Sequence, residues 1–302
     1  MENITQMIML SDASLGFYLL DFVILFGFMS ALRLFTKMIA NVSLKEIVAE
    51  QDNVAAGITL AGATIAVAIL MMGVVSGEAG NTYVDETTLM VAYGVAAMLF
   101  MWLTRKVFDN LLLTGLSVHN EIIAGNIAVG VVDAFNMIAT AIIVKAAMTW
   151  VDGSTLLGLV VVAGIFIISQ LFMFLATLYR RTVFLSRHKA NGKTLQGELK
   201  KGNIALAIRF SGHRIGLGLA ITATSGLVVY DPDLLLYSII AWTIMAFVIF
   251  FAQTILSIAL RYILLSGVNI GEEVVEQKNI AIGAIEAAIY IGIGLAFVGL
   301  FA

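Results

Sequence analysis

Two acidic residues occupy matching positions in stretches that are otherwise apolar. Asp133 and Glu286 each follow an asparagine, Asn126 or Asn279, by seven residues. Seven residues is about two helical turns, or ~10 Å of rise, so each acid lies on the same helix face as its asparagine. A carboxyl group inside a bilayer is costly and marks a functional position by default. The pair is therefore the candidate polar site of a path for ions or protons.

A basic cluster lies at a similar depth in another apolar stretch. Arg214 follows Asn203 by eleven residues, which places it on the same face one turn deeper than the acids. We expect Arg214 to pair with Asp133 or Glu286, and His213 beside it could titrate near neutral pH. Two interpretations stay open, because a buried ion pair can also serve only to fix helix packing. Arg209, nearer the start of the helix, is expected to extend its charge to the membrane surface.

A repeated sequence motif defines the register in which these residues are compared. Four apolar helices open on Asn followed by Ile or Val and then Ala, at Asn53, Asn126, Asn203 and Asn279, with starts 73, 77 and 76 residues apart. The repeat unit is one helical hairpin. Asn at the first position is expected to cap each helix, because its side chain accepts bonds from free backbone N–H groups.

Composition places these helices in a membrane. Hydrophobic residues make up 61% of the 302 residues, charged residues only 12%, and the mean hydropathy is +1.01. Most of the eight apolar runs reach the roughly 20 residues that span a bilayer as a helix. The runs are about 15–39, 54–75, 88–103, 122–148, 156–178, 204–230, 234–260 and 280–301.

Lys and Arg lie almost entirely in alternate connections. The positive-inside rule then places the odd-numbered connections in the cytoplasm and both termini on the non-cytoplasmic side of the cell (inner) membrane. The longest basic loop is expected to contact anionic lipid at the cytoplasmic face rather than nucleic acid. Its members are Arg180, Arg181, Arg187, Lys189, Lys193, Lys200 and Lys201.

The predicted fold is an all-α integral membrane protein of eight transmembrane helices, arranged as four parallel helical-hairpin repeats. Similarity is greatest between the halves, so we predict two fused four-helix halves, 1–152 (hairpins 1–80 and 81–152) and 153–302 (hairpins 153–231 and 232–302). The even-numbered helices are rich in Gly and Ala and are expected to form an inner layer, since small residues let helices approach closely in lipid. The basic connections resemble short amphipathic helices, the first with a capping box from Ser43 to Glu46.

The segment from Asp52-Asn53-Val-Ala-Ala-Gly to Gly62 resembles the bacterial membrane family catalogued as domain of unknown function 350, and Asn203 to Gly212 is a looser copy. The resemblance covers nearly the whole chain in duplicate. It implies a membrane bundle, and it implies that shorter relatives dimerise to build what this chain builds alone. It carries no settled activity.

Two functions remain open. The first is a channel or transporter for a small ion or solute that uses Asp133 and Glu286. The second is a membrane scaffold or envelope-stress partner that recruits a cytoplasmic protein, with homo-oligomers possible in either case. No enzyme motif, metal-ligand spacing or cofactor loop occurs, so we expect no enzyme, metal or cofactor. A third interpretation is a membrane enzyme that acts on lipid, but the sequence contains no recognisable set of catalytic residues for it.

Overall fold

The computed structural model describes residues 12–40, 45–76, 81–113, 115–151, 156–188 and 191–302. In these ranges eight helices are long and apolar enough to cross a membrane, and no strand occurs. Ser43 and Lys189 lie outside the described residues. The helices are α1 Asp12–Ala40, α2 Val54–Val75, α3 Tyr83–Val107, α4 Ile127–Trp150, α5 Leu156–His188, α6 Ile204–Thr222, α7 Leu235–Leu264 and α8 Ile280–Phe301.

The fold class is as predicted, and the bounds differ where polar residues belong to a helix. α3 begins before the predicted 88, because Thr82 caps it and Asp85 and Glu86 form its first turn. α5 extends ten residues past the predicted end at 178, through the basic residues up to His188. α6 ends at Thr222 and continues after Ala223 only as the short helix Thr224–Leu227. Hydropathy locates the apolar centre of a helix and misses its charged ends.

All four repeat asparagines cap their helices, as predicted. Each has an extended backbone, and its side-chain oxygen accepts a bond from an N–H in the first turn of α2, α4, α6 or α8. The residue before each asparagine has a positive φ, and at two of the four positions it is glycine, which adopts that conformation without strain. A short connecting helix, a left-handed residue and an asparagine therefore introduce every inner helix.

The asparagine side chains also join one repeat to the next. The amide of Asn53 donates to the carbonyls of Ile122 and Ile123, at the end of the next connecting helix. The amide of Asn126 donates likewise to the carbonyls of Leu199 and Lys200, at the end of the connecting helix Leu195–Lys200. The amide of Asn203 donates to the carbonyl of Val274. Serine or threonine could cap these helices but has no amide N–H to donate across the gap.

The four even-numbered helices form an inner row in the order α2, α4, α6, α8. A Cβ added at Gly62 would lie 2.4 Å from the Cβ of Ala134 on α4. At the equivalent place in the second half, a Cβ on Gly212 would lie 2.2 Å from that of Ala287 on α8. The predicted inner layer of small residues therefore exists, and both halves use the same contact.

The inner row is open at both ends. α4 and α6 are covered on both sides, whereas α2 and α8 do not pack against each other along their lengths. The odd-numbered helices lie outside this row and expose bulky residues such as Phe22, Phe26 and Phe251. The short connecting helices collect at one end of the bundle, which we call the basic end. They are Lys45–Glu50, Val118–Ile123, Leu195–Lys200 and Glu272–Glu276.

Candidate functional site

In the first half, Asp133 lies in an ion pair with an arginine of an outer helix. Its side chain is fully buried in the second turn of α4. The Nε atom of Arg105, in the last turn of α3, lies 3.6 Å from Oδ2 of Asp133. α3 and α4 run in opposite directions, so the end of one and the start of the other meet at the same depth. Arg105 lies among the basic residues at a helix end that indicate membrane orientation, so its position in the sequence does not indicate this pairing.

In the second half, Glu286 is held by two arginines. Its side chain is fully buried on α8 and pairs with Arg209 of α6, and Nη1 of Arg261 on α7 lies 3.6 Å from Oε1. The expectation that Arg209 extends to the membrane surface is therefore wrong. The buried carboxylate attracts the guanidinium into the bundle, because a charge in low dielectric is stabilised mainly by an opposite charge.

The two sites follow the internal duplication with one addition. Arg105 and Arg261 each lie in the last turn of an outer helix, α3 or α7, at the basic end. Counted from the opening asparagines, the position of Arg209 on α6 corresponds to Thr59 on α2. The first site has one arginine for its carboxylate and the second has two, so the second carries a net positive charge.

The predicted pairing of Arg214 with Asp133 or Glu286 is also wrong. The guanidinium of Arg214 donates to Thr177 at 2.8 Å and to the side-chain oxygen of Asn136. Asn136 lies three residues beyond Asp133 on α4, so the depth of Arg214 matches the amide rather than the acid. Within the described ranges no carboxylate pairs with Arg214, which is 1% exposed in the contact between α4 and α6.

His213 lies apart from both acids. Its ring is buried and packs edge-on against Tyr290 of α8, with ring centroids 5.0 Å apart. The guanidinium of Arg180 lies 4.5 Å from the centroid of the same tyrosine ring. His213 therefore belongs to an arginine and tyrosine cluster beside the second site rather than to the ion pair itself.

In each half, one of the ion-paired arginines also lines a cavity at the basic end. Arg209 lines the α5/α6 cavity, which encloses about 470 Å³ including its open mouth. Arg105 lines the α3 cavity, which encloses about 660 Å³ measured the same way. The α5/α6 cavity is further lined by Arg180, Val183, Phe184, Arg187, His188, Leu195, Leu206, Phe210 and Gly271. The α3 cavity is further lined by Trp102, Lys106, Asp109, Ser117, Val118 and His119.

Among the described residues of the basic loop, the three lysines have acidic partners and the three arginines have none. Lys200 lies 3.9 Å from Glu121, and Lys201 lies 2.9 Å from Glu198. Lys193 pairs with Glu276, and this hydrogen bond lowers the pKa of the Glu276 carboxyl. Arg181 faces the side-chain amide of Gln196, whose oxygen can accept from the guanidinium. Arg180 and Arg187 line the α5/α6 cavity.

A further pair of acids, which the sequence did not reveal as a pair, lies toward the other end of the first half. The carboxyl of Asp21 on α1 is within hydrogen-bond reach of Glu86 on α3, and both side chains are buried. Glu86 has the appearance of a loop residue, because it follows Asp85 just before the apolar run. Two buried carboxyl groups can share a hydrogen bond only when one of them holds a proton.

Eight apolar helices in four hairpin repeats, with buried ion pairs near one end, define a multi-pass membrane protein built from a duplicated unit. A family model described as Domain of Unknown Function (DUF350) matches residues 5–148 and again residues 154–301. The chain therefore belongs to this family, in a double-length form. No curated protein and no solved structure matches it.

Proposed function

We propose that the protein moves a small ion or solute across the membrane, with Asp133 and Glu286 as its working groups. One observation carries the proposal. In each half, an arginine that pairs with the buried acid, Arg105 or Arg209, also lines a cavity at the basic end. The same arrangement occurs twice, and buried ionisable residues in membrane proteins mark ion and proton pathways.

The arrangement allows competition for the arginine. An anion entering a cavity would compete with the carboxylate for the guanidinium, and a cation or proton would compete with the guanidinium for the carboxylate. In either case the ion pair separates, and the helices that carry its members can move apart. A solute with different affinity for the paired and separated states shifts the balance between them.

The path lies between inner and outer helices rather than within the inner row. The contacts of α2 with α4 and of α6 with α8 bring glycine against the backbone of the neighbouring helix, which leaves no room for a solute. Asp133 and Glu286 face α3 and α7 through their arginine partners. We therefore place the moving contacts between α3 and α4 and between α7 and α8.

Flux through reconstituted vesicles tests the proposal. Purified protein in proteoliposomes is given a proton, potassium, chloride or phosphate gradient, and Asp133→Asn and Glu286→Gln are compared with wild type. Glu276→Gln is the matched control, because it removes an acid at the surface of the basic end. We expect at least a tenfold loss of flux in both buried variants and none in the control. Unchanged flux in the variants, or no wild-type flux under any gradient, would refute the proposal.

A membrane scaffold is the second candidate. The close glycine contacts and the asparagine bonds between repeats favour a rigid body whose connecting helices present a fixed surface. A pulldown with wild type and a Lys193→Gln, Lys200→Gln, Lys201→Gln variant tests this candidate. Loss of a captured cytoplasmic protein in the variant supports it, and equal capture by both proteins contradicts it.

We further propose that the basic end faces the cytoplasm, from the distribution of Lys and Arg. The chain contains no cysteine, so single cysteines report on each side without interference. In intact cells, an impermeant thiol reagent should label Asp233→Cys and leave Lys201→Cys unlabelled. The reverse pattern would invert the orientation.

A further inference from the structure

We infer that the α5/α6 cavity binds a phosphate-type anion. Four basic side chains line it, Arg180, Arg187 and His188 from α5 and Arg209 from α6, and the described residues of its lining include no carboxylate. The inference deepens the proposed function by naming a ligand class, and it rests on that function for its role. It is tested by equilibrium binding, so its failure can be told apart from a failure of transport.

The charges of this cavity are only partly neutralised, because Arg209 pairs with Glu286 whereas the other two arginines have no acidic partner among the described residues. Neither Arg180 nor Arg187 forms an ion pair within the described part of the chain, whereas three lysines of the same loop do. The Nε atom of Arg180 is buried and has no hydrogen-bond partner there, while its guanidinium stacks over Tyr290. Such a donor is costly to leave unpaired, and a bound anion would satisfy it.

Guanidinium groups select the ligand class. Several planar donor forks around one pocket match the oxygen atoms of a phosphate group, which accepts paired hydrogen bonds from each fork. Basic pockets between membrane helices on the cytoplasmic side are also where lipid phosphates bind. The shared chemistry is a phosphate group, carried either by a free anion or by a lipid headgroup.

The α3 cavity provides an internal comparison. It contains Arg105, Lys106 and His119, but Asp109 also lines it, and the Asp109 carboxylate accepts a 2.7 Å bond from the Val118 N–H. A carboxylate beside the same space repels an incoming phosphate. We therefore expect the phosphate site only in the second half.

Binding to the purified full-length protein separates the two sources. Radiolabelled inorganic phosphate is titrated in neutral detergent, and retention of phosphatidylglycerol against phosphatidylcholine is measured by native mass spectrometry. Arg180→Gln and Arg187→Gln are compared with Arg181→Gln, the adjacent residue on α5 that faces Gln196. Arg187 is exposed, so its replacement leaves the fold intact.

We expect the cavity variants to weaken binding by about tenfold, the loss of one charge-assisted hydrogen bond, and the control to leave it unchanged. Phosphate binding with this pattern assigns a free anion, and headgroup retention with this pattern assigns a lipid. The inference is overturned if neither probe binds, or if Arg181→Gln weakens binding as much as Arg180→Gln.

A second inference comes independently from the open ends of the inner row. Within the chain, α4 contacts α6 through Ala139, whose carbonyl oxygen would lie 2.8 Å from a Cβ on Gly218, and through Ile142, which accepts a bond from Thr222. Counted from the opening asparagines, Ala139 and Ile142 correspond to Gly292 and Leu295 on α8. Both are exposed, and a Cβ on Gly292 would meet no atom within 4 Å.

The counterpart of the α6 face in this contact is partly exposed on α2, at the opposite end of the inner row. By the same count, Gly218 and Thr222 of α6 correspond to Ala68 and Met72 on α2, and Met72 is 51% exposed. The asparagines show the same open end. Three of them donate to the connecting helix of the next repeat, whereas Asn279, on the fourth inner helix, donates to Glu273 of the connecting helix before it.

We propose that copies of the chain associate head to tail, with α8 of one copy against α2 of the next, in a contact that repeats the one between α4 and α6. Such a contact joins two different surfaces, so it forms a closed ring or an open chain of copies rather than a two-fold dimer. Gly292 on α8 and Ala68 on α2 are small, which allows the close approach that drives helix association in lipid.

Disulfide formation in native membranes tests this contact, because the chain has no cysteine of its own. The double variant Ala68→Cys, Gly292→Cys should form cross-linked dimers and higher species on oxidation, and each single variant should remain monomeric. Ala68→Cys with Ile255→Cys, on the exposed face of α7, is the matched control. Cross-linking of Gly292→Cys alone would indicate a symmetric contact and overturn the proposal. A monomeric double variant, or a monomer mass for the wild type released from nanodiscs, would also overturn it.

Discussion

Two glycines of α8 that are only two residues apart should respond in opposite directions to the same substitution. Gly294 faces α6, where an added Cβ would lie 2.4 Å from the carbonyl oxygen and 3.0 Å from the Cα of Gly216. Gly292 faces away from the row, where an added Cβ would meet nothing within 4 Å. Alanine raises helix propensity at both sites, so packing alone separates the two variants.

The magnitude follows from these distances. At Gly292, alanine should stabilise the fold by up to about 1 kcal/mol, the difference in helix propensity. At Gly294, α8 and α6 must separate by about 1 Å, which forfeits a quarter to a half of the dispersion energy of the contacts that shift. Overpacking of this kind costs about 1–3 kcal/mol, so after the gain in helix propensity Gly294→Ala should destabilise the fold by up to about 2 kcal/mol net.

Reversible unfolding in mixed micelles measures the difference. The free energies of unfolding of both variants are obtained by titration with sodium dodecyl sulfate, followed by circular dichroism. We expect the free energies of unfolding of the two variants to differ by about 1–3 kcal/mol, the cost of the overpacking, with Gly294→Ala the less stable. If Gly294→Ala is as stable as Gly292→Ala, the inner row is not held by the close contacts described above.

Three further predictions concern the polar groups. Glu286→Gln should lower the free energy of unfolding by about 3 kcal/mol, because it leaves two buried guanidinium groups without a carboxylate. Adding Arg261→Gln should restore part of the lost stability, and a loss below about 1 kcal/mol in Glu286→Gln would contradict the ion pairs. Asn203→Ala should cost about 2 kcal/mol in the same assay, because it removes a cap and leaves a buried carbonyl unpaired, and a neutral effect would argue against the bond between repeats. The lowered pKa of Glu276 means that its contact with Lys193 contributes stability above the usual glutamate pKa and loses it as pH falls through the lowered value. An NMR titration of Glu276 should show a higher pKa in Lys193→Gln, and an equal pKa would refute the pairing.

Much of the fold could be predicted from the sequence because both of its signals are periodic. The lengths of the apolar runs predicted eight helices, and the recurring Asn-Ile/Val-Ala motif predicted the repeat. The capping role of the asparagine could be predicted because a helix cap depends on residues close together in the chain. The second role of Asn203 could not be predicted in this way. Its amide bonds to Val274, 71 residues away, and nothing near Asn203 indicates that partner.

The site was predicted only in part, because partners in different helices depend on how the helices pack. Asp133 and Glu286 were found from their shared register, which a single helix supplies. Their arginines were not, since Arg105 and Arg261 lie at helix ends where basic residues commonly mark orientation. Arg214 was assigned an acid by depth alone, and Asn136 occupies the place where the carboxylate was expected.

The arrangement of charges bears on how such a site could work. Glu286 pairs with both Arg209 and Arg261. Arg209 also lines the α5/α6 cavity, so its guanidinium faces a buried acid on one side and the basic end on the other. Because Arg261 holds the carboxylate as well, Arg209 can turn to an incoming anion without leaving Glu286 unpaired. In the first half, Thr59 stands where α6 has Arg209, and Asp133 has Arg105 alone. An anion that captured Arg105 would leave Asp133 buried without a partner, at a cost of several kcal/mol. The two halves share a scaffold, and the additional arginine makes the second half the one suited to exchange partners.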